Sequence, residues 1–123
     1  MKRKVKIEGE SFYLEFEVEF FDNPTAKKIL EKLPIESIVN LWGEEIYFDT
    51  GITCPSFNST LDVEIKDFAY WPQGKCLCIF FGPTPLSNTQ KPVPASEVVI
   101  VGKVNIESFG LKKVKSGYKI KIE

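Results

Sequence analysis

Cys54, Cys76 and Cys78 are the only thiols in the chain, and the order Cys76-Leu77-Cys78 puts two of them on one face of a strand. A metal site needs roughly four ligands converging on one point. The chain has no histidine, so carboxylates would have to complete any shell around a distant third thiol. The C-x-C spacing alone is a weak signal. Cys76 and Cys78 therefore read as small buried hydrophobes, with no metal and no cofactor. Cys54, in TCPS, falls among turn formers, where a thiol could be exposed and redox-active if its pKa were depressed.

The lack of histidine also removes the Ser-His-Asp and Cys-His pairings. The only arginine is Arg3. Among the acids, Glu44, Glu45, Asp49 and Asp67 invite an acid/base reading, but no spacing makes two of them face each other. Glu44 and Glu45 follow Gly43 at a turn, where solvated acids are common. Neither a G-x-G-x-x-G nor a Walker loop is present.

The stretch YWPQGKCLCIFFGPTP, residues 70–85, holds the best candidates for recognition. Tyr70 and Trp71 are neighbours on a strand and point to opposite faces, one to the core and one to solvent or a cleft. Gly82-Pro83-Thr84-Pro85 follows Phe80 and Phe81 as a stiffened reversal. It is either only a rigid rim or a loop presenting Thr84 and backbone donors beside an apolar pocket floored by Phe80. The expected cleft comprises Tyr47, Tyr70, Trp71, Ile79, Phe80, Gly82, Pro83 and Thr84.

These residues need a framework, and the sequence supplies a mostly β one. SFYLEFEVEF alternates strictly, Leu14, Phe16, Val18 and Phe20 facing one way and Tyr13, Glu15, Glu17 and Glu19 the other. With Val5 and Ile7 before it, the N-terminal part reads as a hairpin. DNPTAKKILEKLP predicts a helix over residues 24–33, capped by Asp22 or Asn23, with Ala26, Ile29, Leu30 and Leu33 as its apolar stripe. ESIVNLW and EEIYFD predict two strands joined tightly at Gly43. Residues 50–60 predict a loop. STLDVEIK predicts a strand with Leu61, Val63 and Ile65 inward. FAYW and KCLCIFF predict a hairpin about PQG. PTPLSNTQKPVPAS predicts an extended loop, EVVIVGKV a strand, NIESFGLKKV a short helix, and GYKIKIE a last strand.

The 123 residues, 43% of them apolar and 27% charged, fit one domain spanning 1–123 with a real core. A net charge of -1 leaves no single-sign field, so neither nucleic acid nor an anionic membrane is an expected partner. The basic opening MKRKVKI alternates with Val5 and Ile7 and reads as a solvated strand face. No signal-type apolar segment and no membrane-length apolar run occur, and three cysteines suit a reducing compartment, so a cytoplasmic protein is expected.

YWPQGKCLCIFFGPTPLS, then PASEVVIVGKV, together with SIVNLWGEEIYFDTG, resembles a family of small, uncharacterised prokaryotic proteins with a cyclophilin-like fold. The likeness runs from the first hairpin to KIKIE. It implies an all-β, closed, mostly antiparallel eight-stranded barrel with one or two short capping helices. It also implies a distant relation to the cyclophilins, which are peptidyl-prolyl isomerases. EVVIVGKV is similar to the cyclophilin strand of valines followed by phenylalanine, glycine and lysine, with Val101, Gly102 and Lys103 at those last positions. Phe81-Gly82-Pro83 resembles the stretch after the strand that floors the substrate groove, which puts Ile79 and Phe80 at groove positions.

The departures decide the functional expectation. Cyclophilins carry a phenylalanine-histidine-arginine stretch whose arginine donates to the prolyl nitrogen. Residues 44–48 match that region and hold neither histidine nor arginine, and the glutamine-glycine-glycine-aspartate stretch is also missing. The expectation is a module binding a proline-containing peptide or a small molecule without efficient isomerase activity. The alternatives are an isomerase with a substituted donor, and an assembly role in a homodimer shown by an exposed apolar face.

Overall fold

The computed structural model describes residues 1–54 and 57–123; the part of the expected loop at residues 55–56 lies outside the described residues. Among them nine strands form one sheet, each pairing antiparallel. In chain order these are β1 (Lys2–Gly9), β2 (Phe12–Phe20), helix α1 (Pro24–Glu31), β3 (Ile35–Ile38), β4 (Asn40–Trp42) and β5 (Glu45–Asp49). Then follow β6 (Asp67–Trp71), β7 (Cys76–Phe80), β8 (Val99–Asn105), a 3-10 turn (Ser108–Leu111) and β9 (Lys119–Ile122).

The sheet order is β3-β9-β1-β2-β8-β6-β7-β5-β4. Its two outermost strands are thus consecutive in sequence, and the sheet curls until it is nearly closed. The resemblance implies eight strands; among the described residues there are nine, two of them from the single run ESIVNLW, which divides at Val39. Val39 N–H donates to the Tyr118 carbonyl at 2.8 Å and its carbonyl accepts from Gly117 N–H at 2.9 Å. Those bonds split the run ESIVNLW, so that β3 pairs with β9 while β4 pairs with β5. The join between β3 and β5 includes a side-chain bond, Ser37 Oγ to the Asp49 carbonyl at 2.7 Å.

The alternation seen in the sequence sets the register. Val5 faces Phe16 and Ile7 faces Leu14 across β1 and β2, and Val5, Ile7, Val18 and Phe20 enter the main core. The same interior holds Ile46 and Phe48 of β5, Phe68 and Tyr70 of β6, and Leu77 and Ile79 of β7. Helix α1 is capped by Asn23, whose Oδ1 accepts from Ala26 N–H at 2.8 Å while Nδ2 donates to the Ile100 carbonyl at 3.1 Å. Pro24 occupies the first turn, where its missing N–H costs nothing. Ala26 and Ile29 then pack into the main core.

Residues 59–66 are not the expected strand. Their one ladder contact is the bridge between Thr60 and Val98. Lys66 takes a positive φ of 83° and donates its N–H to the Phe80 carbonyl at 2.7 Å, which turns the chain out of extension. Leu61 consequently stays exposed while Val63 is buried. The segment packs over the sheet instead of extending it. Val63 joins Ala69, Cys78, Phe80 and Val98 in a second, smaller core, with Tyr47, Trp71 and Ile100 packed against it.

Candidate functional site

Strands β4, β5, β6 and β7 each alternate, and the residues facing away from the main core build the second layer. The registers place Trp42 opposite Glu45, Tyr47 opposite Cys78, Glu45 opposite Phe80, and Cys78 opposite Ala69. Residues one step along, such as Ile46, Ile79 and Tyr70, face the barrel interior. Over this outer layer runs the proline-rich segment 83–98. Between the two lies a pocket of about 190 Å³ lined by Trp42, Glu45, Tyr47, Trp71, Pro94, Ala95 and Val98.

The covering segment is pinned along its length. At one end Glu44 N–H donates to the Pro83 carbonyl and Phe81 N–H to the Glu44 carbonyl, both at 2.9 Å. In the middle, buried Thr84 donates its hydroxyl to the Val93 carbonyl at 2.6 Å and accepts from Leu86 N–H, while its own N–H donates to Ser87 Oγ at 2.9 Å. At the other end Val98 and Thr60 exchange backbone bonds. The β4–β5 turn must come close for this to work. Gly43 has φ +58°, and a Cβ there would sit 2.8 Å from Pro85 Cδ and 2.9 Å from Thr84 Cα, so glycine is needed for both conformation and space.

The aromatic walls are also fixed. Trp71 Nε1–H donates to Ser96 Oγ at 2.6 Å, and Ser96 Oγ donates to Gln73 Oε1 at 2.8 Å. Its ring lies over Gly74, where a Cβ would come within 2.4 Å of it.

Glu45 is the exception in this apolar setting. It is only 6% exposed, and its Oε1 has no hydrogen-bond partner among the described residues. Burial pushes its carboxyl up to about 7, against a smaller downward pull from the neighbouring Cys78 thiol. Cys78 in turn is driven well above the ordinary thiol value, by burial first and the Glu45 charge second. Cys76 is pushed up to about 11 by burial, then by Asp49 and Glu45. Both thiols are therefore neutral near pH 7 and poor nucleophiles.

The structure distributes the expected cleft residues over three environments. Tyr47 and Trp71 meet in the pocket. Tyr70 and Ile79 face the main core, where Tyr70 donates its hydroxyl to the Ile52 carbonyl at 2.5 Å and accepts from Cys54 N–H at 3.3 Å. Phe80 is fully buried within the second, smaller core. Pro83 and Thr84 hold the covering segment in place, and Gly82 lies against the Glu44 side chain. Cys54 is buried in the main core and not exposed, with its thiol raised by that burial. Among the described residues, no three His, Cys, Asp or Glu side chains are grouped to hold a metal ion.

Sequence reasoning missed Trp42, Glu45, Pro94, Ala95 and Val98. Glu45, expected to be solvated, is the main correction. Period-two alternation did carry a signal, since it puts Glu45 on the face of Tyr47.

A model of the family described as Cyclophilin-like matches residues 3–123. The solution structure of the hypothetical protein AF2241 from Archaeoglobus fulgidus superposes with a TM-score of 0.77 at 40% identity, covering 99% of this chain and 94% of that one. The structure of McbB in complex with tryptophan superposes with a TM-score of 0.68 at 14% identity, covering 97% of this chain and 44% of McbB, which is a likeness of fold. No curated protein matches the chain. With the family model matching nearly from end to end and the AF2241 likeness beside it, the chain belongs to the cyclophilin-like family.

Proposed function

We propose that this protein is a small-ligand binding module whose site is the pocket between the outer layer and segment 83–98, and that it is not an efficient prolyl isomerase. The observation that carries the reading is the pinned aromatic pocket itself, with one buried carboxyl in its wall whose Oε1 has no partner among the described residues. Its volume of about 190 Å³ is below the ~300–1,000 Å³ common for drug-sized ligands. That favours one small molecule, or a single side chain, over several residues of peptide.

The isomerase alternative lacks its donor. The barrier to X-Pro rotation is about 20 kcal/mol, and loss of one well-placed donor costs on the order of 100- to 1000-fold in comparable sites. No guanidinium occurs in residues 44–48, and the Trp71 indole N–H is already committed to Ser96. Three free thiols, all buried, fit a cytoplasmic setting. No helix among the described residues is long and apolar enough to cross a membrane.

The test is to add single-ring probes (benzylamine, benzyl alcohol, benzoate) and short Xaa-Pro peptides to labelled protein. Shifts of the Trp42 and Trp71 indole signals with at least one probe, and peptide exchange at the uncatalysed rate beside a true cyclophilin control, are expected. Silence of both indoles towards every probe would remove the pocket reading. Strong acceleration of exchange would make the protein an isomerase.

A further inference from the structure

We infer that the pocket takes an organic ammonium ion with a small apolar body, and that Glu45 is its counter-ion. The inference rests on the small-ligand reading and adds the ligand's charge. A buried polar atom without a partner is rare in folded proteins and costs stability unless something satisfies it. Glu45 Oε1 is such an atom, in a side chain 6% exposed that forms part of the pocket wall. Trp42, Tyr47 and Trp71 line the same space with aromatic surface. Aromatic faces attract cations, and the attraction strengthens where water is excluded. An ammonium group therefore meets both kinds of partner at once. A carboxylate ligand would meet a buried acid, and an apolar neutral one would leave Oε1 without a partner.

The groups facing Glu45 make it responsive. From β7 these are Cys76 and Cys78, and from its own strand Tyr47. Strand β4 presents Trp42, β6 presents Trp71, and the covering segment presents Pro94, Ala95 and Val98. In the free protein at neutral pH and below, the carboxyl holds a proton for much of the time. On binding R–NH3⁺ the O–H bond of Glu45 breaks, its proton leaves to solvent, and the resulting carboxylate pairs with the ammonium. Binding and ionisation are then linked: affinity rises with pH until Glu45 is ionised in the free protein, and flattens above that.

The experiment compares benzylammonium, benzyl alcohol and benzoate by calorimetry and indole shifts between pH 5 and pH 8. At pH 8 benzylammonium is expected to bind at least roughly tenfold more tightly than either of the other two compounds. Its affinity should fall about tenfold per pH unit below about 7. Glu45→Gln should abolish the ammonium preference. The wild-type pH profile decides the question even if that variant does not fold. Equal or tighter binding of the alcohol or of benzoate at pH 8, or an ammonium affinity independent of pH, would overturn the inference while leaving the pocket reading standing. If none of the three binds, both fall.

Discussion

Glu45 begins β5 and shares its outer face with Tyr47, so an acid expected in water is folded under the covering segment. Its folded value of about 7 lies above the ordinary 4.5. Between those values the folded chain holds a proton that the unfolded chain has released. Stability from this group is therefore complete below pH 4.5 and is lost as pH rises through 7. The loss amounts to about 3 kcal/mol, since each pKa unit is worth about 1.4 kcal/mol. Glu45→Gln removes the titration. Denaturant unfolding should show wild type losing that much more stability than the variant between pH 4 and pH 8; parallel pH curves would show that the carboxyl is ordinary. At this scale the sequence was half legible. Alternation aligns Glu45 with Tyr47 and sends Tyr70 and Trp71 to opposite faces, but it leaves open which of the two turns inward, and both were expected in the cleft. What alternation cannot say is whether an outward face is covered, because the cover comes from a segment far along the chain.

The elements that make the cover are the β4–β5 turn and segment 83–98. Thr84 is their joint: its hydroxyl bond to the Val93 carbonyl holds the segment across the outer layer. Thr84→Val keeps the shape and removes the bond, leaving a carbonyl and its neighbours short of a partner. A destabilisation of about 1–3 kcal/mol is expected, with faster amide exchange within residues 84–98 and little change in β1 and β2. Unchanged melting with unchanged protection would show that the bond does not hold the cover. The hairpins, a helix cap at Asp22 or Asn23 and the proline-rich loop could be read from local chemistry. STLDVEIK could not, because its alternation mimics a strand while the Lys66 backbone turns it away from the ladder. Nor could the split at Val39, which depends on bonds to Gly117 and Tyr118 near the other end of the chain.

Across the whole molecule, nine strands curl around one main core and carry a second, smaller core on their outer side. The β character and the cyclophilin-like resemblance were legible from motifs spread along the chain. Which runs supply the strands was not, since that is set by which partner each half of a single run finds. Family membership fixes this framework, and function resides in the groups it carries. Those groups here are three aromatic side chains and one acid, in a pocket that shares no arginine donor with the isomerases. The counter-ion assignment depends on that acid being buried, with its Oε1 free for a cationic ligand. The 13C titration of the Glu45 carboxyl by NMR, in free protein and in protein saturated with benzylammonium, probes this at the atom concerned. A midpoint near 7 is expected in the free protein, moving to lower pH in the complex. A midpoint near the ordinary 4.5 in the free protein, unmoved by benzylammonium, would show that Glu45 is neither perturbed by burial nor a counter-ion.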